Sequence, residues 1–208
     1  LKLKLNLVDA TWLDLKNSYE DDSLEYQKTF PTIGCRVLSL AWFAPKGHLL
    51  AGGADGTIRC FDDATGRPVY RMTGEVLRGL QTLIWSLDVL EDYTIVSGDD
   101  RGNLQLWDGH TSTLKATHNQ HTADVFAITH SADQSRVFAS GVDSKVVCLQ
   151  RLANEDGSMT SADDWVYTSA HRPHSHDVFT LTACRTDSGE EMLVSGGLDT
   201  KICVYQGM

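Results

Sequence analysis

Leu104-Gln105-Leu106-Trp107-Asp108 is the clearest of four similar stretches in this chain. The other three are Ile58-Arg59-Cys60-Phe61-Asp62, Val146-Val147-Cys148-Leu149 and Ile202-Cys203-Val204-Tyr205. Each follows a step of small residues and a tight turn, namely Ala51–Gly56, Ser97–Gly102, Ala139–Ser144 and Ser195–Thr200. The last turn position recurs as Gly56, Gly102, Ser144 and Thr200, at steps of 46, 42 and 56 residues.

A repeat of this length that ends in Trp-Asp is typical of WD-repeat β-propellers, in which each repeat forms a four-stranded blade. Alternation of apolar and polar residues before and after each turn predicts the other strands of each repeat. In the first full repeat these are Val37–Phe43, His48–Gly53, Thr57–Asp62 and Pro68–Met72. The predicted fold is therefore all-β.

The whole chain, 1–208, is predicted to be an open arc of about four blades: partial, three full, partial. Strands at Lys2–Leu7 and Leu24–Phe30 would end one blade within 1–32, around an acidic insertion at 8–23. The remaining units are 33–72, 83–118, 121–170 with a polar insertion at 152–164, and the incomplete 174–206. Because propellers close their ring, and because no Met begins the chain, we expect a piece of a larger propeller protein.

Composition narrows the class of protein. The chain has 208 residues, with 18 Lys and Arg against 28 Asp and Glu, and a net charge of −10. This balance disfavours general binding to polyanions. Five scattered cysteines without a CxxC pair favour a reducing compartment. No apolar run approaches the ~18 residues of a membrane helix, so no membrane partner is expected.

Propeller blades of this kind are often braced by four hydrogen-bonded side chains: a His before the first strand, a Ser or Thr, an Asp in the turn, and a Trp. A buried Asp needs such partners. The fourth repeat has His174, Ser195 and Asp199, with Tyr205 in the Trp place. The other repeats keep fewer members: His121 and Asp143 in the third, beside Ala139 and Leu149; Ser97 and Trp107 in the second, with Arg101 in the Asp place; Asp55 in the first.

These residue types also suggest chemistry. His174, Ser195 and Asp199 have the composition of a hydrolase triad, but in the blade scheme they are structural and lack an oxyanion hole. The string His171-Arg-Pro-His174-Ser-His176 suggests a metal site, with Asp177 as the one acidic neighbour. The brace explains these residues better. We therefore predict no enzyme, no catalytic, cofactor-binding or metal site, no cofactor and no small-molecule substrate.

A basic rim is the candidate contact for RNA or for a partner. Its predicted members are Arg36, Arg71, Arg78, Arg172 and Lys201. A solvated surface is the alternative interpretation of these charges.

Several segments, taken in order, resemble the cirhin family. They are Lys28–Phe30 with Arg36–Trp42, Ala51-Gly52 with Phe61-Asp62, Ile84–Ser86 with Thr94–Ser97, Gly102–Asp108, Ala123–Val125, and His174–Val178 leading to Ser195–Thr200. The similarity runs from about residue 1 to 205. It implies a non-catalytic scaffold of the nucleolar small-subunit processome, which assembles on the 5′ leader of pre-rRNA for small-subunit rRNA processing. Implied partners are other propeller and helical processome proteins and the pre-rRNA 5′ leader.

Two other classes stay open from the residues alone. One is a general WD-repeat adaptor, such as a ubiquitin-ligase substrate receptor or a transport-coat subunit. The other is a propeller hydrolase or oxidoreductase, which would need convergent polar groups or a cofactor in the central channel.

Overall fold

Four antiparallel sheets make up the regular structure of this chain. The computed structural model describes residues 26–74, 81–152, 164–186 and 189–206. The first sheet holds β1 (Val37–Phe43), β2 (His48–Gly53), β3 (Thr57–Asp62) and β4 (Pro68–Thr73). The second holds β5 (Ile84–Val89), β6 (Thr94–Asp99), β7 (Asn103–Asp108) and β8 (Thr113–Asn119). The third holds β9 (Val125–His130), β10 (Arg136–Gly141), β11 (Val146–Arg151) and β12 (Trp165–His171), and the fourth β13 (Val178–Arg185), β14 (Glu191–Gly197) and β15 (Ile202–Gln206).

Strand order within every sheet follows the sequence, and all neighbours are antiparallel. One turn of 3-10 helix at Ala44–Lys46 is the only helical element among the described residues. The all-β fold predicted from the repeats is therefore confirmed as a partial β-propeller. Among the described residues no helix has the length and apolar character needed to cross a bilayer.

Contacts between the sheets and the burial of their strands show how the blades are arranged. The first strands of successive sheets contact one another, β1 with β5, β5 with β9 and β9 with β13. All six residues of β6 are buried, whereas β8 is largely exposed. First strands therefore form the inner edge of the arc, and fourth strands form its outer edge.

Apolar side chains fill the seams between neighbouring blades. The seam between the first and second sheets contains Leu50, Ile58, Ile84 and Tyr93. Val96, Leu104, Val137 and Leu149 belong to the next seam, and Phe138, Val146 and Leu193 to the last. Alternate residues of each strand face opposite sides of a sheet, so an inner strand contributes to two seams.

Serine hydroxyls also cross the seams. Ser39 Oγ donates to the Ile84 carbonyl (3.0 Å), and Ser86 Oγ donates to the Val125 carbonyl (2.8 Å). Ala127 stands at the corresponding place in β9, and Ser140 of β10 donates instead to the Val178 carbonyl at 3.3 Å. Each bond runs from one blade to the first strand of the next.

The repeated turn is left-handed at the same position in all four blades. Its φ angles are 70° at Gly56, 85° at Gly102, 62° at Ser144 and 63° at Thr200. Glycine adopts this region without strain, and Ser144 and Thr200 adopt it within otherwise equivalent turns.

One predicted strand is wrong in its described part. Residues 26–30 of the expected strand Leu24–Phe30 have no strand structure. Instead, Phe30 packs on Phe61 with ring centroids 5.7 Å apart, and Lys28 forms an ion pair with Asp63 at 2.8 Å. These contacts hold the segment against the first sheet without the ladder of backbone hydrogen bonds that defines a strand.

Other predicted features lie outside the described residues. They are the strand Lys2–Leu7, the insertion 8–23, residues 153–163 of the second insertion, and Arg78. The division of the chain into five units stays a prediction.

Candidate functional site

One end of the four sheets carries the repeated turns, and we call it the turn face. Here the turn after each second strand meets the residue that precedes the first strand. Four equivalent backbone hydrogen bonds make this junction: Ala54 N to Arg36 O (2.9 Å), Asp100 N to Leu83 O (3.2 Å), Val142 N to Asp124 O (3.0 Å) and Leu198 N to Asp177 O (2.9 Å). The four bonds place Arg36, Leu83, Asp124 and Asp177 at corresponding positions.

The fourth sheet brings together all four of its predicted brace residues. His174 Nδ1 donates to Asp199 Oδ1 (2.9 Å), and Ser195 Oγ donates to His174 Nε2 (2.8 Å). The Tyr205 hydroxyl donates in turn to Ser195 Oγ at 3.0 Å, a set of directions inferred from the network. His174 and Ser195 are both buried. Each of these four brace side chains therefore has a hydrogen-bond partner.

The third sheet keeps half of this arrangement. His121 Nδ1 donates to Asp143 Oδ1 at 2.9 Å. Ala139 replaces the serine, and the buried His121 Nε2 has no hydrogen-bond partner among the described residues. The ring is held at one nitrogen only.

In the second sheet an acidic residue two positions earlier replaces the expected Asp. Trp107 Nε1 donates to Ser97 Oγ at 2.9 Å, as predicted for the tryptophan end of the brace. Arg101 stands in the Asp place, but Asp99 Oδ1 accepts from the backbone N–H groups of Arg101 and Asn103, each at 2.9 Å. Asp99 thus holds the turn from inside β6. The only sequence signal for it was the acidic pair Asp99-Asp100 within a turn.

The first sheet uses an arginine where the third and fourth sheets use histidine. Arg59 Nη2 donates to Asp55 Oδ2 at 2.5 Å, and Arg59 Nη1 also approaches Cys35 Sγ at 3.6 Å. Asp55 additionally accepts from the backbone N–H of Thr57. Sequence reasoning found Asp55 and missed Arg59, because Arg59 lies on the strand after the turn and not before the first strand.

These contacts hold the turn carboxylates in their charged form. The hydrogen bond from Arg59 lowers the pKa of Asp55 to about 2. A bond from His174 likewise places the pKa of Asp199 well below its usual range. Burial would raise the pKa of Asp143, but the hydrogen bonds from His121 and from the Thr122 and Lys145 backbone N–H groups outweigh burial, and the net pKa is low.

Replacing Ser195 by Ala should destabilise the fourth blade. The change leaves His174 Nε2 and the Tyr205 hydroxyl without their buried partner, at a cost of about 2 kcal/mol. Urea unfolding of the purified protein measures this loss. Ser175→Ala, at an exposed position next to His174, is the control. Equal midpoints for the two variants would contradict a bracing role for Ser195.

Replacing Ala139 by Ser should stabilise the third blade. The new hydroxyl would stand where Ser195 stands in the fourth blade and would donate to His121 Nε2. We expect a gain of about 1 kcal/mol in the free energy of unfolding. Ala139→Val adds two methyl groups' worth of bulk and no donor at this fully buried position, and should give a loss from overpacking. A gain for valine, or a loss for serine, would show that His121 Nε2 does not require a donor.

The four described members of the predicted basic rim do not form one cluster. Arg36, Arg172 and Lys201 are exposed on the turn face, but Arg36 precedes β1, Arg172 lies between β12 and β13, and Lys201 precedes β15. Lys201 lies 3.7 Å from Asp199. Arg71 lies within the outer strand β4, opposite Arg59 in the register, and not in a connection. The basic residues are therefore dispersed among the described blades.

The candidate chemical sites can be judged by their geometry. Ser195 Oγ lies within the brace, and the residue is only 1% exposed, so a substrate has no approach to this hydroxyl. His171 and His176 are exposed while His174 faces Asp199. Across the described ranges no three His, Cys, Asp or Glu side chains are arranged to hold a metal ion.

Sequence reasoning missed a row of aromatic rings on the inner strands. Trp85, Phe126 and Phe179 are the second residues of β5, β9 and β13. The Trp85 and Phe126 ring centroids are 5.5 Å apart, and those of Phe126 and Phe179 are 5.0 Å apart. The signal was present as one aromatic at the same place in three repeats.

Comparison with known proteins agrees with the repeat pattern. A family described as "WD domain, G-beta repeat" matches residues 25–62. The chain is 35% identical over 184 residues to "U3 small nucleolar RNA-associated protein 4" of Schizosaccharomyces pombe, an alignment that covers 87% of this chain and 25% of that protein. It is 31% identical to the Saccharomyces cerevisiae protein of the same name, covering 87% of this chain and 24% of that protein.

A human homologue of that name is 33% identical, with 87% of this chain and 26% of that protein covered. The chain therefore spans about a quarter of the length of these curated relatives. Among solved structures, the computationally designed Ika4 protein matches with a TM-score of 0.67 at 19% identity, covering 88% of this chain and 99% of that one. This likeness concerns the fold alone.

Proposed function

We propose that the protein is a non-catalytic scaffold in ribosome biogenesis, a member of the cirhin family and a subunit of the small-subunit processome. The human relative named U3 small nucleolar RNA-associated protein 4 is also called cirhin. The observation that carries the proposal is similarity to that protein in two yeasts and in human, each across 87% of this chain.

The fixed backbone of the blades suits a scaffold, a protein that holds its partners in place. Seams and hydrogen-bonded turns fix the backbone of each blade, while the connecting loops are free to vary in sequence. Buried histidines, serines and carboxylates serve the blades themselves, since they bond to one another and to the turns. A rigid disc with variable loops suits the simultaneous binding of several partners.

The proposed partners are other processome proteins, with propeller and helical folds, and the pre-rRNA 5′ leader. The proposed location is the nucleolus. Since the turn face carries both dispersed basic residues and several carboxylates, protein contacts are proposed as the main contribution of these blades. RNA contacts would come from Arg and Lys of the loops, would involve phosphate, and would weaken as salt rises.

Two measurements on the full-length protein test this proposal. Tagged protein purified from cells should carry U3 small nucleolar RNA and processome proteins, and depletion should lower mature small-subunit rRNA while sparing the large-subunit rRNA. A second WD-repeat protein with the same tag serves as the control for nonspecific recovery. Unchanged rRNA levels, together with recovery of ubiquitin-ligase or transport-coat components, would overturn the proposal in favour of the general adaptor.

A further inference from the structure

The inner edge of the arc presents a continuous aromatic surface. Trp85, Phe126 and Phe179 form what we call the aromatic ladder. The Trp85 and Phe126 rings meet edge to face at 81°, and the Phe126 and Phe179 rings stack at 21°. Phe179 remains 44% exposed. Because the three rings lie one residue into the first strands, the ladder runs beside the turn face.

Three carboxylates stand at the same end of these strands, and we call them the acidic rim: Asp100, Asp124 and Asp177. Asp124 and Asp177 immediately precede β9 and β13. Asp100 is fixed beside the start of β5, because its Oδ1 accepts from the Leu83 N–H at 3.1 Å. All three carboxylates therefore lie beside the start of a ladder strand.

Among the described residues, the three carboxylates of the acidic rim make no ion pair. Over the described part of the chain, no Lys or Arg side chain forms an ion pair with any of the three carboxylates. Burial and the neighbouring charges of Asp100 and Asp177 raise the pKa of Asp124. A cation placed among the three would relieve this repulsion.

A donor also remains unused at the ladder. The Trp85 indole Nε1 is buried and has no hydrogen-bond acceptor among the described residues. Buried indole N–H groups usually have a partner. Since this atom is buried, a peptide carbonyl could accept from it only after the Trp85 ring turns toward the surface.

We propose that the aromatic ladder and the acidic rim together bind an Arg- and Lys-rich segment of a protein partner. Guanidinium and ammonium groups bind the faces of aromatic rings and pair with carboxylates, so both halves of this surface select the same charge. An RNA strand could stack bases on the rings, but its phosphates would meet the three carboxylates. The inference stands apart from the proposed role in rRNA processing, since it concerns only the chemistry of the partner.

The test is a binding titration with the full-length protein. The probe is a fluorescein-labelled twelve-residue peptide of alternating Arg and Gly, compared with the same peptide carrying Glu for Arg and with a twelve-nucleotide oligo-uridine RNA. The main variant, Asp124→Asn with Asp177→Asn, removes two rim charges with little change in shape. The matched control, Glu91→Gln with Glu190→Gln, removes two exposed charges from turns at the opposite end of the sheets.

We expect the unaltered protein to bind the arginine peptide saturably, and the rim variant to bind it at least tenfold more weakly. The control variant should change affinity less than twofold, and Phe179→Ala should weaken it several-fold. Thermal unfolding of each variant verifies that the fold is kept. Absence of saturable peptide binding, equal weakening by both double variants, or tighter binding of the RNA than of the arginine peptide would each overturn the proposal.

Discussion

Replacing Tyr93 by Ala should lower the free energy of unfolding by about 3–5 kcal/mol, the range for loss of a large buried aromatic side chain. Tyr93 is 1% exposed and stacks on Phe43 with ring centroids 3.9 Å apart. Its hydroxyl lies 2.5 Å from both His48 Nδ1 and the Tyr70 hydroxyl. The alanine variant therefore creates a cavity and removes the hydroxyl partner of two partly buried polar groups.

Two further variants separate the ring from the hydroxyl. Tyr93→Phe keeps the stack on Phe43 and removes only the hydrogen bonds, so its loss should be about 1–3 kcal/mol. Tyr167→Ala, at a tyrosine that is 45% exposed, should cost under about 0.5 kcal/mol. The backbone strain at Tyr93, where φ is 68°, is much the same for alanine and does not confuse the comparison. Urea unfolding of each variant measures its free energy of unfolding. A loss for Tyr93→Ala no larger than that for Tyr167→Ala would contradict the assignment of Tyr93 to the core.

Replacing Gly141 by Ala should cost about 3 kcal/mol or more, at the upper end for overpacked sites. A Cβ atom there would lie 1.8 Å from the Asp124 carbonyl oxygen, and this obstacle is backbone that no rotamer change can move. The start of β9 would have to shift away from β10, breaking the Val142 N to Asp124 O hydrogen bond.

The matched control is Gly197→Ala, the corresponding position of the fourth blade. There the added Cβ would lie 2.8 Å from the Asp177 carbonyl oxygen and 2.9 Å from His174 Nδ1, so a smaller movement than at Gly141 relieves the contacts. The thermal midpoint should fall clearly further for Gly141→Ala. Equal midpoints would show that the two blade junctions are equally adaptable.

The strands of the first full blade could be predicted closely from sequence. The observed bounds of β1, β2 and β3 match the prediction, because alternation and the turn at Gly56 both fix them. Brace residues could be located for the same reason, since their spacing from the turn is constant. The segment 24–30 also alternates, but alternation alone does not supply the neighbouring strand that a ladder of hydrogen bonds requires.

Other features depend on contacts between distant residues. Asp99 takes over the turn of the second blade from a position that the repeat pattern does not assign to it, so spacing arguments miss it. Tyr93 enters the core of the preceding blade from a turn with positive φ, a conformation disfavoured for its residue type. The aromatic ladder arises only when three first strands are brought side by side. The local sequence pattern therefore predicts the strands of each blade. The aromatic ladder depends on how the blades pack against one another.

The hydrogen bonds that serine hydroxyls make across the seams all have the same orientation along the arc. In each such bond the donor is a side chain of the earlier blade and the acceptor is a backbone carbonyl of the later one. A substitution on the earlier blade can abolish the bond, whereas none on the later blade can remove its carbonyl. For these hydrogen bonds, residue identity is constrained on the earlier blade and not on the later one. A blade transferred into another propeller would therefore need its own serine, whereas any following blade could supply the backbone carbonyl.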